Sequence, residues 1–128
     1  MIIGIGTDII DTRRIKKTFT KYGEKFKNRC FSLNEIKRAD KRMNSVNSYA
    51  KRYAAKEACS KALGTGLAKG IFWKDIEIIN NAEGKPFIIL HNKAFIRLHN
   101  LSKKKCNIEV SLSDEKNYAI ANVVIHEI

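Results

Sequence analysis

The stretch that most constrains the fold is Arg52 to Gly66, R-Y-A-A-K-E-A-C-S-K-A-L-G-T-G. Ala55, Ala58, Cys59, Ala62 and Leu63, with Ala54 beside them, recur at the i, i+3, i+4, i+7 and i+8 positions of one helical face. Most of these side chains are small, so another stretch of backbone is expected to lie close against the helix. Tyr53, Lys56, Glu57, Ser60 and Lys61 fall on the opposite face, where Glu57 and Lys61 are four apart and neighbours. By spacing alone such a pair on an alanine-rich helix reads as a solvated surface pair. Gly64 and Gly66 end the helix, since glycine takes the left-handed cap without a Cβ penalty and leaves backbone open to a ligand.

The remaining pattern surrounds this helix with short elements. Met1 to Ile10 is a nearly continuous apolar run of strand length and is expected to be a buried strand. Its one carboxylate, Asp8, is costly there unless it is paired, and it reads equally as a helix N-cap or as a metal ligand. Gly4 and Gly6 begin a dinucleotide-binding pattern, but the third glycine is missing. Asp11 to Tyr22 reads as a short helix with Ile15 and Phe19 inward, and Phe26 to Phe31 as a turn or extended piece. Ser32 to Glu35 has the form of a capping box opening a helix through about Arg42. The central helix is expected to start near Ser48. Trp73 to Asn80 and Phe87 to Leu90 read as strands joined by the Asn81–Gly84 turn, with Pro86 at a strand start where it need not donate. Asn92 to Ser102 has helical spacing, and Ile108 to Ser113 with Tyr118 to Ile125 reads as a hairpin. The expectation is an α+β fold, an antiparallel sheet packed around a central helix, in a single domain spanning 1–128.

The formal charge of +12 is concentrated, because residues 13–61 hold 16 Lys and Arg against 4 Asp and Glu. Such a face attracts nucleic acid, anionic membrane, polyphosphate ligands or an acidic protein. No RNA-binding motif and no set of aromatics suited to stacking accompanies it, which argues against a nucleic-acid partner. No apolar run approaches a membrane span, and the N-terminus lacks the basic leader of a signal peptide. The three cysteines are widely spaced and form no C-x-x-C, so a reducing, cytoplasmic setting is expected.

His91, His99 and His126 show no metal-ligand spacing, and neither a G-x-S-x-G elbow nor a P-loop is present. Oxygen chemistry remains. Asp8 and Glu57 are hard carboxylates suited to Mg²⁺, which takes one or two carboxylates and fills its other positions with water and phosphate. Lys61, one turn beyond Glu57, would face the same phosphates, making a clamp suited to phosphoryl transfer.

Four blocks carry a family resemblance: G-I-G-T-D-I at 4–9, R-Y-A-A-K-E-A-C-S-K-A-L-G-T-G at 52–66, G-K-P at 84–86 and V-S-L-S at 110–113. Together they resemble the holo-[acyl-carrier-protein] synthases, small bacterial 4′-phosphopantetheinyl transferases, over essentially the whole chain. The resemblance implies transfer of phosphopantetheine from coenzyme A to a serine of apo acyl carrier protein, releasing adenosine 3′,5′-bisphosphate, in support of fatty acid biosynthesis. It implies Mg²⁺ on Asp8 and Glu57, Lys61 against the leaving bisphosphate, and either Glu57 or a metal-bound water as base. It further implies a homotrimer with coenzyme A between subunits, lined by Arg52, Lys61, Gly64, Thr65, Gly66, Lys85, Pro86 and Ser111. Arg14 matches a position that the family uses to grip its acidic carrier, with Arg13, Lys17 and Lys21 nearby. Before V-S-L-S, where the family often has His, this chain has Glu109, which cannot donate a hydrogen bond when ionised.

Overall fold

The computed structural model describes residues 1–67 and 70–128. In chain order it runs β1 (Ile2–Asp11), α1 (Thr12–Tyr22), α2 (Glu24–Cys30), α3 (Leu33–Asp40), α4 (Ser45–Ala62), β2 (Ile76–Asn80), β3 (Pro86–Leu90), α5 (Asn92–Leu101), β4 (Cys106–Glu115) and β5 (Tyr118–Glu127). The strands form two antiparallel sheets, one of three strands in the order β1-β5-β4 and one of two, β2-β3. Period-two alternation sets the layers: Ala119, Ala121, Val123 and Ile125 of β5 are buried beneath α4, whereas Tyr118, Ile120 and Asn122 point outward.

Local chemistry fixes the helix ends. The Asp11 side chain accepts from the Arg13 N–H at 2.9 Å and caps α1. Ser32 and Glu35 make the expected reciprocal capping box on α3, at 3.2 and 2.8 Å. Asn44 accepts from the Asn47 N–H, so α4 starts at Ser45, three residues before the expected Ser48. The Phe26–Phe31 segment, expected as a turn or extended piece, is mostly helical: Gly23, at φ 55°, separates α1 from a second short helix. Phe26 and Phe31 then pack edge to face with centroids 5.8 Å apart. Trp73–Asp75 is a 3₁₀ turn, and the strand expected from Trp73 begins at Ile76.

Two expectations about burial are corrected. β1 is an edge strand covered on one face only, so Ile2, Ile5 and Ile9 are exposed despite the continuous apolar run. Conversely, the polar side of α4 is largely covered. Arg52, Lys56 and Ser60 are buried along with the alanines, because β1 and β5 cover one flank while α1, α3 and β2 cover others. Lys56 is fully enclosed; its ammonium donates to Glu35 Oε1 at 2.9 Å, to the Trp73 carbonyl at 3.0 Å and to the Ile76 carbonyl. Glu35 Oε2 in turn accepts from the Ile78 N–H at 3.0 Å. This ion pair ties α3, α4 and β2 together with each charge given several partners, which offsets much of the cost of burying it.

Candidate active site

The inward face of β1 reads Gly4, Gly6, Asp8. A Cβ on Gly6 would lie 1.8 Å from the Ala58 carbonyl oxygen, and one on Gly4 would lie 1.9 Å from that of Ala62. The strand backbone therefore rests directly on the helix backbone, across the small-residue face expected from the sequence. Because the two elements meet without intervening side chains, the residue next along that face, Asp8, arrives beside the last turns of α4. Lys61 Nζ donates to Asp8 Oδ1 at 3.1 Å and to the Thr7 carbonyl at 2.9 Å. Asp8 is not a helix cap, since Asp11 serves that role.

Glu57 completes the cluster one turn before Lys61. Burial raises its pKa above the ordinary carboxylate value and the nearby Asp8 charge raises it further, while Lys61 and Arg14 act the other way. The result is two mutually repelling carboxylates and one ammonium at a half-open edge, with Asp8 18% exposed at its side chain and Lys61 50%. Among the described residues no group of three His, Cys, Asp or Glu side chains is assembled. The oxygen donor set is thus a pair of carboxylates, which suits a hard cation that keeps water and phosphate in its other positions.

The loop after α4 adjoins this cluster. Gly64 N–H donates to the Lys61 carbonyl at 2.9 Å, and the N–H groups of Thr65 and Gly66 donate to that of Ser60 at 3.2 Å. Both glycines have positive φ, 78° and 58°.

Arg52 lies elsewhere, nine residues back on α4 and on its other side. It lines a pocket of about 390 Å³ with Arg38, Arg42, Lys51, Asn80 and Pro86, and neither Asp8, Glu57 nor Lys61 reaches that pocket. The Arg52 guanidinium donates to Ser48 Oγ at 2.7 Å and Asn80 Oδ1 at 2.9 Å. Its Nε and that of Arg38 are buried without a hydrogen-bond partner among the described residues. Burial and the charges of Arg38 and Arg42 hold the Arg52 pKa below its usual value. Several cations with unmet donors are chemically suited to an anion. Lys85 is exposed in the adjoining turn, its N–H donating to Asn81 Oδ1 at 2.9 Å. Ser111 is elsewhere again, exposed on the outer face of β4 opposite Asn122. The residues expected around coenzyme A are therefore spread over three places on one chain.

On α1, Arg14, Lys17 and Lys21 are exposed, and Arg14 is close enough to Glu57 to influence its ionisation. Arg13 differs from its neighbours: its guanidinium closes on Asp11 at 2.7 Å and holds that carboxyl down to about 2. Sequence reasoning missed Arg38, Arg42 and Asn80. They lie within or beyond the basic segment with nothing in their spacing to separate them from solvated residues, and only folding gathers them around Arg52.

Residues 4–123 match the family model described as the 4′-phosphopantetheinyl transferase superfamily. Over 127 residues the chain is 50% identical to a holo-[acyl-carrier-protein] synthase of Agrobacterium fabrum, covering 98% of this chain and 95% of that protein. The crystal structure of the holo-[acyl-carrier-protein] synthase of Neisseria meningitidis superposes with a TM-score of 0.86 at 35% identity, covering 99% of this chain and 100% of that one. That of the Helicobacter pylori synthase in complex with coenzyme A gives 0.82 at 32% identity, covering 95% and 99%. With the G-I-G-T-D strand seated on the A-A-K-E-A helix and the likeness running nearly end to end, the chain belongs to the holo-[acyl-carrier-protein] synthases of the 4′-phosphopantetheinyl transferase superfamily.

Proposed function

We propose that this chain, acting as a single domain, transfers the 4′-phosphopantetheine group of coenzyme A to a serine of apo acyl carrier protein. The serine oxygen forms a bond to the β-phosphorus of the coenzyme, the bond from that phosphorus to the bridging oxygen breaks, and adenosine 3′,5′-bisphosphate leaves. The observation that carries this reading is the convergence of Asp8, Glu57 and Lys61 where the β1 backbone rests on α4. Lys61 lies at the rim of the cluster with half its side chain in solvent, so its ammonium can turn from Asp8 to the leaving phosphate and stabilise the charge developing there. Glu57, for which no hydrogen bond from Lys61 competes among the described residues, is this chain's own acceptor for the serine proton.

Asp8 and Glu57 would hold Mg²⁺, a role supported by two hard carboxylates brought together at a partly exposed edge at the cost of mutual repulsion. When bound, such an ion supplies positive charge against pyrophosphate oxygens. The pocket around Arg52 would take the phosphates at the adenosine end of the coenzyme, with Lys85 and Pro86 at its edge; the orphan Nε groups of Arg52 and Arg38 support this. That pocket and the carboxylate cluster lie on different sides of α4, which supports a homotrimer whose sites are shared, Gly64, Thr65 and Gly66 coming from one copy and Arg52 and Ser111 from the next. The exposed isoleucines of the outer sheet face, Ile5, Ile9 and Ile120, are a surface that such assembly would cover.

The carrier would dock on α1. Arg14, beside Glu57, leads the carrier to the cluster, and Lys17 and Lys21 extend the cationic face; Arg13 adds less, its charge being already paired with Asp11. Rim charges of this kind mainly accelerate encounter, so docking weakens with salt. The cytoplasm is the proposed setting; no helix among the described residues is long and apolar enough to cross a membrane.

The test is incubation of the purified protein with coenzyme A, Mg²⁺ and an apo acyl carrier protein, followed by the mass of the carrier. The expected result is a gain of one phosphopantetheine group, abolished by chelator and by Glu57→Ala. No gain with several carriers would sink the reading.

A further inference from the structure

The outward rows of the three-stranded sheet run Ile5–Val124–Glu109, Thr7–Asn122–Ser111 and Ile9–Ile120–Ser113. The face ends at one edge in the Asp11–Tyr118–Glu115 row, where Arg13 pairs with Asp11, and at the other edge in a second ion pair. His126 Nε2 lies 2.9 Å from Glu109 Oε2, reaching across from β5 to β4, and His126 Nδ1 lies 3.3 Å from the Glu127 carbonyl oxygen. Both ring nitrogens thus face acceptors, and only the doubly protonated imidazole donates to both.

Among the described residues the charged surroundings of the ring are few. Glu109 approaches from β4, and the Met1 ammonium at the head of β1 acts against the cation. The Glu127 carboxylate is engaged by Ser102 Oγ at 2.7 Å.

We propose that the Glu109–His126 pair is a proton-operated latch on the surface through which copies of this chain assemble, and so regulates the shared active site. The inference rests on the assembly proposed above. With His126 protonated the pair is neutral as a unit and the Ile5–Val124–Glu109 row can be covered. With His126 neutral, Glu109 remains as a carboxylate whose burial is uncompensated. The bond to Glu109 raises the His126 pKa above its ordinary value. The favourable state is therefore fully present below the ordinary imidazole range and is lost as pH rises through the raised value. Half-exposed in one chain, with Glu109 at 55% and His126 at 33%, the pair gains strength only where assembly excludes water from it.

Sedimentation velocity of the full chain between about pH 6 and about pH 8.5 tests this, from below the ordinary imidazole value to well above it. Wild-type assembly is expected to weaken at least about tenfold across that interval, a loss of about 1.4 kcal/mol in association free energy. Glu109→Gln, which removes the charge that protonation offsets, is expected to assemble with no such slope. His126→Gln, leaving Glu109 unpaired throughout, is expected to assemble weakly at every pH; matching far-ultraviolet circular dichroism excludes a folding defect. Equal slopes in wild type and Glu109→Gln, or a wild-type oligomer indifferent to pH, overturn the latch alone. A wild type that is monomeric at every pH yet still modifies the carrier overturns the shared-site reading together with it.

Discussion

Gly6 does its work through absent volume, since the Ala58 carbonyl oxygen occupies the place where a Cβ would stand. Gly6→Ala must therefore push β1 off α4, and overpacking of this kind costs about 1–3 kcal/mol. Because the same contact brings Asp8 to Glu57 and Lys61, carrier modification should fall far more than stability does. Gly23 is the internal control: a Cβ there meets only the Phe19 carbonyl oxygen, at 3.9 Å, and its φ of 55° is what disfavours a side chain. Gly23→Ala is expected to cost about 1 kcal/mol through backbone strain alone. Thermal unfolding and the mass-shift assay on both variants separate the two causes; equal losses would mean that close approach is not what assembles the cluster. At this scale the sequence was partly legible. The small face of α4 announced that a backbone would lie against it, but nothing in the run Met1–Ile10 said that this strand was the one, and periodicity alone left Asp8 between cap and ligand.

For α4 as an element, the informative group is Lys56, which spacing assigned to the solvated face beside Glu57 and which folding encloses completely. Removing one partner of a buried pair leaves the other charge stranded, so Lys56→Met should lose about 3–5 kcal/mol in urea unfolding. Pairing it with Glu35→Gln should recover part of that loss, because no net charge then remains buried; a double variant as unstable as the single would show that the carbonyl contacts to Trp73 and Ile76 dominate. The Lys56 misreading and that of β1 share a cause. Periodicity reports which faces differ, not how many neighbours an element will have. α4 is packed on several flanks, so its polar side is also interior, whereas β1 is an edge strand with one face bare. Elements set by local chemistry were legible: the Ser32–Glu35 box, the Asn81–Gly84 turn and the β4–β5 hairpin all lie close to where capping and turn residues put them. The α2 helix was not, because its seven residues are too few to display a period.

For the whole molecule, the question is whether one chain holds a complete site. Arg52 and Glu57 sit on the same helix, but the Arg52 pocket is built from the end of α3, the connection into α4, the first half of α4, the β2–β3 turn and β4, while Glu57 faces β1 and α1.

 If sites are shared between copies, the two defects can complement each other, since one variant retains an intact cluster and the other an intact pocket. Arg52→Ala and Glu57→Gln should each be nearly inactive alone. Mixed in equal amounts and allowed to exchange subunits, they should regain about a quarter of wild-type activity, because a working site needs its cluster from one variant and its neighbouring pocket from the other, each with even odds in a closed ring. The measurement is carrier modification by the mixture before and after exchange, beside a single chain carrying both substitutions mixed with wild type. Two copies of a complete site would give no recovery at all, since no subunit in the mixture holds both residues intact. Recovery that appears only after exchange would tie catalysis to contacts between chains, and would make the bare isoleucine face of the sheet part of the enzyme's working structure.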